Sequence, residues 1–461
     1  MSQNACHVIV AGGGISGLTT AWFLRQAGVQ VRVLEKDPVP GGTMQTLRQD
    51  GFLIDLGPNS ALETTPFFNL LFKELGIDGE RVYADSTGSR RYILRNGALH
   101  VMPMSPGAFI GTRLWSTRGK LRLFGELFAG RADHEETIAE FVKRRLGQEF
   151  LDYAINPFVA GVYAGNPEQL SVRAAFPKLY ALEEKYGGLI RGAIKGRRER
   201  RRRAETAKQS ARMFSFTNGM NTFPAALARA LGGDVVLGAA VEGIERDGEG
   251  WKVTYAVNGA RMREEASAVV LAAPASQASG LIAGLDAALA CSLEQISYPP
   301  VAMVFTGFPA SSVKRPLDGF GYLVPSKESR TILGTIWSST IFPNRAPEGH
   351  AAFTTFVGGS RQPEILDLDD GKLIDNVTCE LQSIIGIQGG PSFTLLQRWE
   401  KSIPQYNLGY GEVLRRIDAF EAQHPGLFIC SNYRGGIAVG DCVVSADRTA
   451  RRIGEFFSTR T

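Results

Sequence analysis

The run HVIVA, His7–Ala11, has the length and apolar composition of a buried strand. Residues 15–26 follow, with Leu18, Trp22 and Leu24 among their apolar positions, and predict a helix. VQVRVLE at residues 29–35 predicts a second strand. Strand, tight turn, helix and strand make one βαβ unit of a parallel sheet. A polar–apolar stretch at residues 46–58 leads into LGPNS. Residues 104–192 carry mostly helical pattern. Within them Ile138, Phe141, Val142 and Arg145 stand at i, i+3, i+4 and i+7, and the charge at Arg145 predicts a short apolar face. Few apolar residues follow until Phe214, which predicts an exposed loop. From residue 234 the pattern changes to strands: VVLGAAVEGIER, WKVTYAV and ASAVVLAAP. Residues 301–359 are strand-like too, broken at Gly319, Gly321 and Pro325. Residues 426–457 predict a strand, a glycine-rich turn and a helix. There is no internal repeat.

Composition narrows this picture. A chain of 461 residues suggests two or three domains. The formal charge of +5 is mild and argues against a nucleic-acid partner. It is also local, since KGRRERRRR at residues 195–203 holds more than the whole excess. That run reads as a solvated loop, with attraction to anionic lipid as the alternative. Five scattered cysteines without a CxxC pair support neither a metal site nor a disulfide framework, which favours a reducing compartment. No signal or transit pattern opens the chain, and no apolar run is long enough to span a bilayer. The expected location is the cytoplasm, with any membrane contact peripheral.

The chemistry begins at Gly12-Gly13-Gly14-Ile15-Ser16-Gly17, which fits GxGxxG between a predicted strand and a predicted helix. Gly12 permits the tight turn, Gly14 lets backbone approach a pyrophosphate, and Gly17 permits close helix–strand packing. The helix N-terminus offers free N–H groups and a positive dipole end to phosphates. Glu35 ends the second strand at the offset expected of an acid that binds ribose hydroxyls. A dinucleotide is implied, without deciding which one.

The next segment decides it by resemblance. Gly41-Gly42-Thr43-Met44-Gln45-Thr46, a hydrophobic stretch, then Asp55-Leu56-Gly57-Pro58-Asn59-Ser60 resemble the second glycine signature of the flavin amine oxidase superfamily. That family often has Arg where Thr43 stands, so a backbone role is what carries over here. Ser431-Asn432-Tyr433-Arg434-Gly435-Gly436-Ile437-Ala438-Val439-Gly440-Asp441-Cys442 resembles the family segment that returns to the flavin ring. There, N–H groups and a helix start can stabilise negative charge on reduced flavin. The resemblance implies FAD, with Lys36, Gly42, Thr43, Gly57, Pro58, Asn59, Ser60, Val241, Ser431, Ile437, Ala438 and Val439 joining the first glycine turn and Glu35 in holding it.

Taken end to end, the chain is similar to the oxygen-dependent protoporphyrinogen oxidase family. The blocks that carry this are NPFVAGVYAG from Asn156 with LSVRAAFP from Leu170, GFGYLVP from Gly319, IPQY from Ile403, and the terminal NYRGGIAVGDC. The resemblance implies six-electron oxidation of a porphyrinogen, with hydride passing to FAD and dioxygen reduced to hydrogen peroxide. Arg91 matches an arginine that pairs a propionate, Phe320 and Leu323 match residues that sandwich pyrrole rings, Phe356 matches a further wall position, and Gly161 matches a glycine near the reacting ring edge. A surface arginine and an ordinary core aromatic are the alternatives for Arg91 and Phe320. No acid–base dyad stands out, and His7, His100, His134, His350 and His424 lie outside the matched blocks. Hydride transfer governed by positioning, without a catalytic base, is therefore the expectation. The family often follows IPQY with a Gly-His pair; here Gly409 precedes Tyr410, taken as a peripheral change.

The implied fold is α/β, with an α+β substrate part. A Rossmann-like FAD domain (residues 1–86, 211–290 and 411–461) joins a mixed-sheet substrate domain (87–100 and 291–410) and an inserted helical, membrane-docking domain (101–210). Residues 104–129 mix Phe, Leu and Trp with Arg113, Arg118, Lys120 and Arg122, a composition suited to an anionic bilayer surface or to an ordinary amphipathic face. Protoporphyrinogen IX is favoured over coproporphyrinogen III. A flavin amine or carotenoid oxidoreductase is the more distant alternative, but its expected lysine is not identifiable. Hand-off to a chelatase and a homodimer are further partners the resemblance allows.

Overall fold

The computed structural model describes residues 7–192, 194–195 and 211–460. The loop expected over the basic run lies, from residue 196 on, outside the described residues.

His7–Ala11, Ile15–Gln26 and Gln30–Glu35 form the expected βαβ unit. His7–Ala11 is the centre of a five-stranded sheet in which every pairing is parallel. The order is Val235–Leu237, Gln30–Glu35, His7–Ala11, Ala268–Leu271, Leu427–Ile429. Such a sheet is covered on both faces, which is why its strands are continuous apolar runs. The terminal helix Val439–Ser458 packs against Ile15–Gln26 on one side. Between the third and fourth of these strands in sequence, Ala239–Asp247, Gly250–Val257 and Ala260–Ala266 make an antiparallel three-stranded sheet. The last of these, ARMREEA, was not foreseen. It is mostly exposed and shows no alternation, so only its pairing with Gly250–Val257 makes it a strand.

The second large sheet has seven strands, in the order Phe393–Trp399, Val301–Pro309, His350–Gly358, Ile332–Ile336, Gly321–Leu323, Arg91–Arg95, Ala98–Val101. It is mixed, because Gly321–Leu323 runs parallel to Arg91–Arg95 while its other pairings are antiparallel. Gly321 starts a strand instead of breaking one. Its φ of +135° and the carbonyl of Thr335, 2.0 Å from where a Cβ would stand, leave room only for glycine. One face of this sheet buries Tyr92, Tyr322, Ile332 and Phe353 against helix Asp370–Ile385 through Leu373, Val377 and Leu381. The other face meets the helical insert, built of short helices between Pro106–Gly111 and Pro177–Tyr186.

The apolar face of helix Ile138–Arg145 is short, as expected, but Arg145 itself is fully buried, and it ends the apolar stripe by joining a charge network instead of reaching solvent. Its guanidinium lies 3.1 Å from buried Glu126 and 3.0 Å from Glu183. Arg144 also reaches Glu183, at 3.0 Å, and pairs with Glu136. Glu126 accepts further bonds from the backbone N–H groups of Leu189 and Ile190. Burial pushes the Glu183 carboxyl up, but the bonds from Arg145 and Arg144 outweigh it and hold the group below its ordinary range.

Two outcomes follow from this packing. Removing Arg145 as Arg145→Leu strands the buried Glu126 carboxylate and leaves Glu183 with Arg144 alone, and is expected to cost about 3–5 kcal/mol, read from denaturant midpoints. Because the folded pKa of Glu183 is depressed, its stabilisation is present above the ordinary glutamate range and fades as pH falls through the folded value. Wild type should therefore lose more stability on acidification than a Glu183→Gln variant. A Cβ at Gly17 would lie 1.9 Å from the Gly12 carbonyl oxygen, so Gly17→Ala should yield protein without bound flavin absorbance.

Candidate flavin and substrate site

The first glycine turn sits at the carboxyl edge of the parallel sheet, where ligands of doubly wound folds bind. Gly12, at φ +117°, donates its N–H to the Leu34 carbonyl and has Ala272 backbone 3.0 Å from its would-be Cβ. Gly13 donates its N–H to Glu35 Oε2 at 2.5 Å, and any side chain there would strike Glu35. Glu35 is buried, and its other oxygen accepts the Asp37 N–H at 2.8 Å. Each carboxylate oxygen keeps a lone pair for a ribose hydroxyl. Gly14 is the N-cap of the first helix, which has no side-chain cap, and the space over Gly14 is open. Ile15 and Ser16 form the first turn of that helix, with Ser16 buried. Lys36 is exposed beside Glu35.

The second signature folds back onto the first. The Gly41 N–H bonds the Gly13 carbonyl at 2.8 Å, and Gly42, at φ +57°, lies against the Gly14 Cα. Thr43 is exposed, and its carbonyl is 2.0 Å from where a Cβ on Gly57 would stand. The value of Thr43 here is thus in its backbone. Gly57, Pro58, Asn59 and Ser60 are all half-buried. Asn59 gives its amide hydrogens to the Asp55 and Gly57 carbonyls, leaving Oδ1 buried without a partner. A buried, unpaired acceptor suits a ligand that brings its own N–H or O–H donors, as a flavin does. Asp55 anchors the segment. Burial raises its pKa, but it is paired with Arg345 at 3.4 Å and accepts from Thr46 and Met220.

The terminal segment arrives by strand pairing, since Cys430 N–H bonds the Leu271 carbonyl next to the first turn. Ser431 is buried and accepts the Arg434 N–H. Ile437, Ala438 and Val439 lead into the terminal helix, whose N-terminus also has no side-chain cap. Val241 lies at a bulge in Ala239–Asp247, a strand that contacts Gln30–Glu35. Two uncapped helix starts and the orphaned Asn59 oxygen therefore fit FAD, which the chain binds.

The substrate residues come together through sheet register. Ile93, Leu323, Gly334, Phe356 and Met303 are directly opposite one another on five adjacent strands, so they share one face. Arg91 is two residues from Ile93 and points the same way. Phe356 packs in one direction against the cluster of Ala160, in helix Asn156–Tyr163, and Ala164, the residue that ends it, and in the other against the cluster that holds Leu56 and Met303. Leu56 belongs to the flavin signature, so this wall reaches the flavin side of the site. Gly161 faces Leu323, whose Cδ2 is 2.5 Å from a would-be Cβ. Glycine at 161 thus lets the helix approach the Leu323 side chain closely; a side chain there would have to displace the end of Leu323. Phe320 donates its backbone N–H to the Arg90 carbonyl, and its ring lies 5.8 Å from the Arg91 guanidinium.

Arg91 differs from its basic neighbours. Arg90 pairs with Asp318, Arg95 with Glu149 at 2.8 Å, and Lys327 with Asp152 at 2.6 Å. No carboxylate among the described residues pairs with Arg91. It is open to solvent on one side, yet surrounding protein desolvates the guanidinium enough to lower its pKa. The sequence reading missed Met303, Ile93 and Gly334, since register, not motif, brings them to the wall. His100 stands opposite Ile93 on the outermost strand, at the edge of the same row. Tyr410 corrects another expectation. It is 4% exposed and donates its hydroxyl to the Tyr433 carbonyl at 2.6 Å, so it lies under the flavin-closing segment and not at the periphery.

Residues 15–454 match the model of the family described as flavin containing amine oxidoreductase. The chain is 34% identical to Protoporphyrinogen oxidase 2, chloroplastic/mitochondrial, of Arabidopsis thaliana, over 96% of this chain and 93% of that one. It is 29% identical to Coproporphyrinogen III oxidase of Bacillus subtilis, over 96% and 97%. A crystal structure from Exiguobacterium sp. superposes with a TM-score of 0.81 at 24% identity, covering 98% of this chain and 99% of that one. With the flavin turn, the returning C-terminal segment and an almost full-length match in agreement, this chain belongs to the flavin-containing amine oxidoreductase family and is an FAD-dependent oxidoreductase.

Proposed function

We propose that this chain oxidises a porphyrinogen in heme biosynthesis and prefers protoporphyrinogen IX. The observation that carries the reading is one unpaired guanidinium, Arg91, at the end of an apolar wall that reaches the flavin signature. It agrees with the activities named for the relatives above. The same residues make up the proposed site: Arg91, Gly161, Phe320, Leu323 and Phe356 for substrate, with the glycine turn, Glu35, Lys36, Gly42, Thr43, residues 57–60, Val241, Ser431 and residues 437–439 for FAD. The three-part division of the chain given above follows that assignment.

When bound, FAD supplies hydride acceptance from the substrate and electron delivery to dioxygen. The chain supplies position. Arg91 grips a propionate with two parallel hydrogen bonds. Its contact with the Phe320 ring fixes the direction of the guanidinium. Leu323 and Phe356, backed by buried Met303, offer an apolar face to the tetrapyrrole and exclude water from it. Helix Asn156–Tyr163 holds that face from the other side through Ala160 and, at its end, Ala164. No histidine is assigned a proton-holding role, and three of the five lie outside the site. His7 pairs with Glu264, His134 with Asp133, and His424 packs on Phe420.

Coproporphyrinogen III, with four carboxylates, is the second reading. It is disfavoured because Arg90, Arg95 and Lys327 are each already paired with a carboxylate, which leaves Arg361, bound to the Val324 carbonyl and Asn156, as a second cation without one among the described residues. We also propose peripheral contact with the cytoplasmic face of an anionic bilayer. Met104, Ile110, Phe124 and Phe128 are exposed beside Arg113, Arg118 and Arg122, with Phe128 at 87%. No helix among the described residues is long and apolar enough to cross a membrane.

The test is anaerobic bleaching of the bound flavin with each porphyrinogen in parallel. Faster bleaching by protoporphyrinogen IX is expected; bleaching by neither rejects the reading. In Arg91→Ala, loss of a charged hydrogen-bond pair of about 1.5–3 kcal/mol should cut kcat/KM by roughly 10- to 100-fold, mainly through KM. Flotation with anionic vesicles at low salt should carry wild type upward, and Phe124→Ser/Phe128→Ser should float less. Wild type that stays at the bottom of the gradient refutes the membrane contact.

A further inference from the structure

The block IPQY has no part in the wall or the glycine turns, yet it is almost wholly buried. Gln405 and Tyr406 are 3% and 5% exposed. Gln405 Nε2 donates to the Tyr163 carbonyl at 2.8 Å, at the end of the helix that carries Gly161. The Tyr406 carbonyl accepts the Ser171 N–H at 2.8 Å. Its ring stacks on Tyr410, with centroids 4.4 Å apart. The Tyr406 hydroxyl donates to the Asn432 carbonyl, and that of Tyr410 to the Tyr433 carbonyl.

These two bonds complete a series. The Ser431 carbonyl accepts from the Arg434 N–H, and the Arg434 carbonyl from Ser445 Oγ at 3.3 Å. Four consecutive carbonyls, 431 to 434, are therefore all occupied by protein donors. Gly435 and Gly436, at φ +104° and +126°, then reverse the chain into the uncapped start of the terminal helix. Burial raises both tyrosine pKa values well above normal, so the hydroxyls stay protonated and stay donors.

We infer that Tyr406 and Tyr410 are positioning residues for the flavin. By holding the carbonyls of Asn432 and Tyr433 against the protein, they keep the negative ends of these dipoles off the cofactor and residues 437–439, which lead into the terminal helix, turned toward it by their N–H groups, while the Gly436 N–H faces the Tyr406 hydroxyl. Such a fixed dipole array favours the more negative, reduced flavin. Through Gln405 the same run ties this array to the substrate-side helix. The inference rests on the FAD reading of the terminal segment and not on which molecule is oxidised.

Tyr406→Phe and Tyr410→Phe each delete one hydroxyl and keep the ring stack. The holoenzymes are compared by anaerobic dye equilibration for the flavin midpoint potential, by fluorescence of released FAD for its dissociation constant, and by Tm. Each variant should shift the potential to a more negative value and weaken FAD binding about tenfold, the effect of leaving one buried carbonyl unsatisfied. Tyr83→Phe is the control, because that hydroxyl meets Glu63 at 3.3 Å from strand Arg81–Tyr83, which carries no residue of the site, and it should leave both readings unchanged. Potentials equal to wild type, with only Tm lowered, would show a purely structural role and overturn the inference. If Tyr406→Phe does not fold, Tyr410→Phe decides by the same criteria. None of these readings uses a porphyrinogen, so failure of the substrate proposal leaves them intact, whereas wild type that binds no FAD would overturn the cofactor reading itself.

Discussion

The parallel pairing of Ala268–Leu271 with His7–Ala11 on one side and Leu427–Ile429 on the other governs the arrangement of this molecule. It joins three stretches that lie far apart in sequence. It also fixes where each strand ends, so the first glycine turn and the terminal segment emerge at the same carboxyl edge. The Ala272 N–H on the Ala11 carbonyl and the Cys430 N–H on the Leu271 carbonyl continue the ladder up to that edge. The Gly17 approach to the Gly12 carbonyl then sets the first helix close enough for the terminal helix to pack on it. Without this lateral closure there would be two separate glycine loops and no common crevice.

The mixed sheet acts through register in the same way. A sheet gives each strand two faces, and here the faces have different work. One is filled by helix Asp370–Ile385 and is ordinary core. On the other, Leu323 and Phe356 are only partly covered, by helix Asn156–Tyr163 and by the flavin signature around Leu56, while Met303 beyond them is buried. The glycines in this region serve contact. Gly161 admits Leu323, and Gly334 has the Tyr322 carbonyl 2.6 Å from where a side chain would begin. Close approach at these points brings the wall to the place where the flavin side meets it.

Buried charge separates scaffold from site. Arg145 and Arg345 are deeply buried and face carboxylates, so their desolvation is offset within the protein. Arg91 carries desolvation with no such partner. A cation left in that condition is stabilised when a ligand carboxylate arrives, which is the physical basis for assigning it to substrate.

Much of this was legible in the chain. The GGGISG turn, Glu35 at the end of its strand, and the long apolar runs specify a βαβ unit through local steric and hydrogen-bonding rules, and the structure has them where the pattern puts them. Pattern was silent where the cause was non-local. Arg145 looked like the edge of an apolar stripe because its two carboxylates come from other helices. ARMREEA showed no strand pattern because its strand character comes from its neighbour. Tyr410 looked peripheral because its stacking partner and its acceptor carbonyl are set by tertiary contact. The sequence by itself determined the elements and the cofactor turn, since backbone sterics and short-range periodicity act over a few residues. The wall, the charge network and the tyrosine clasp were decided only by the tertiary structure, because register and long-range burial choose which distant residues face one another.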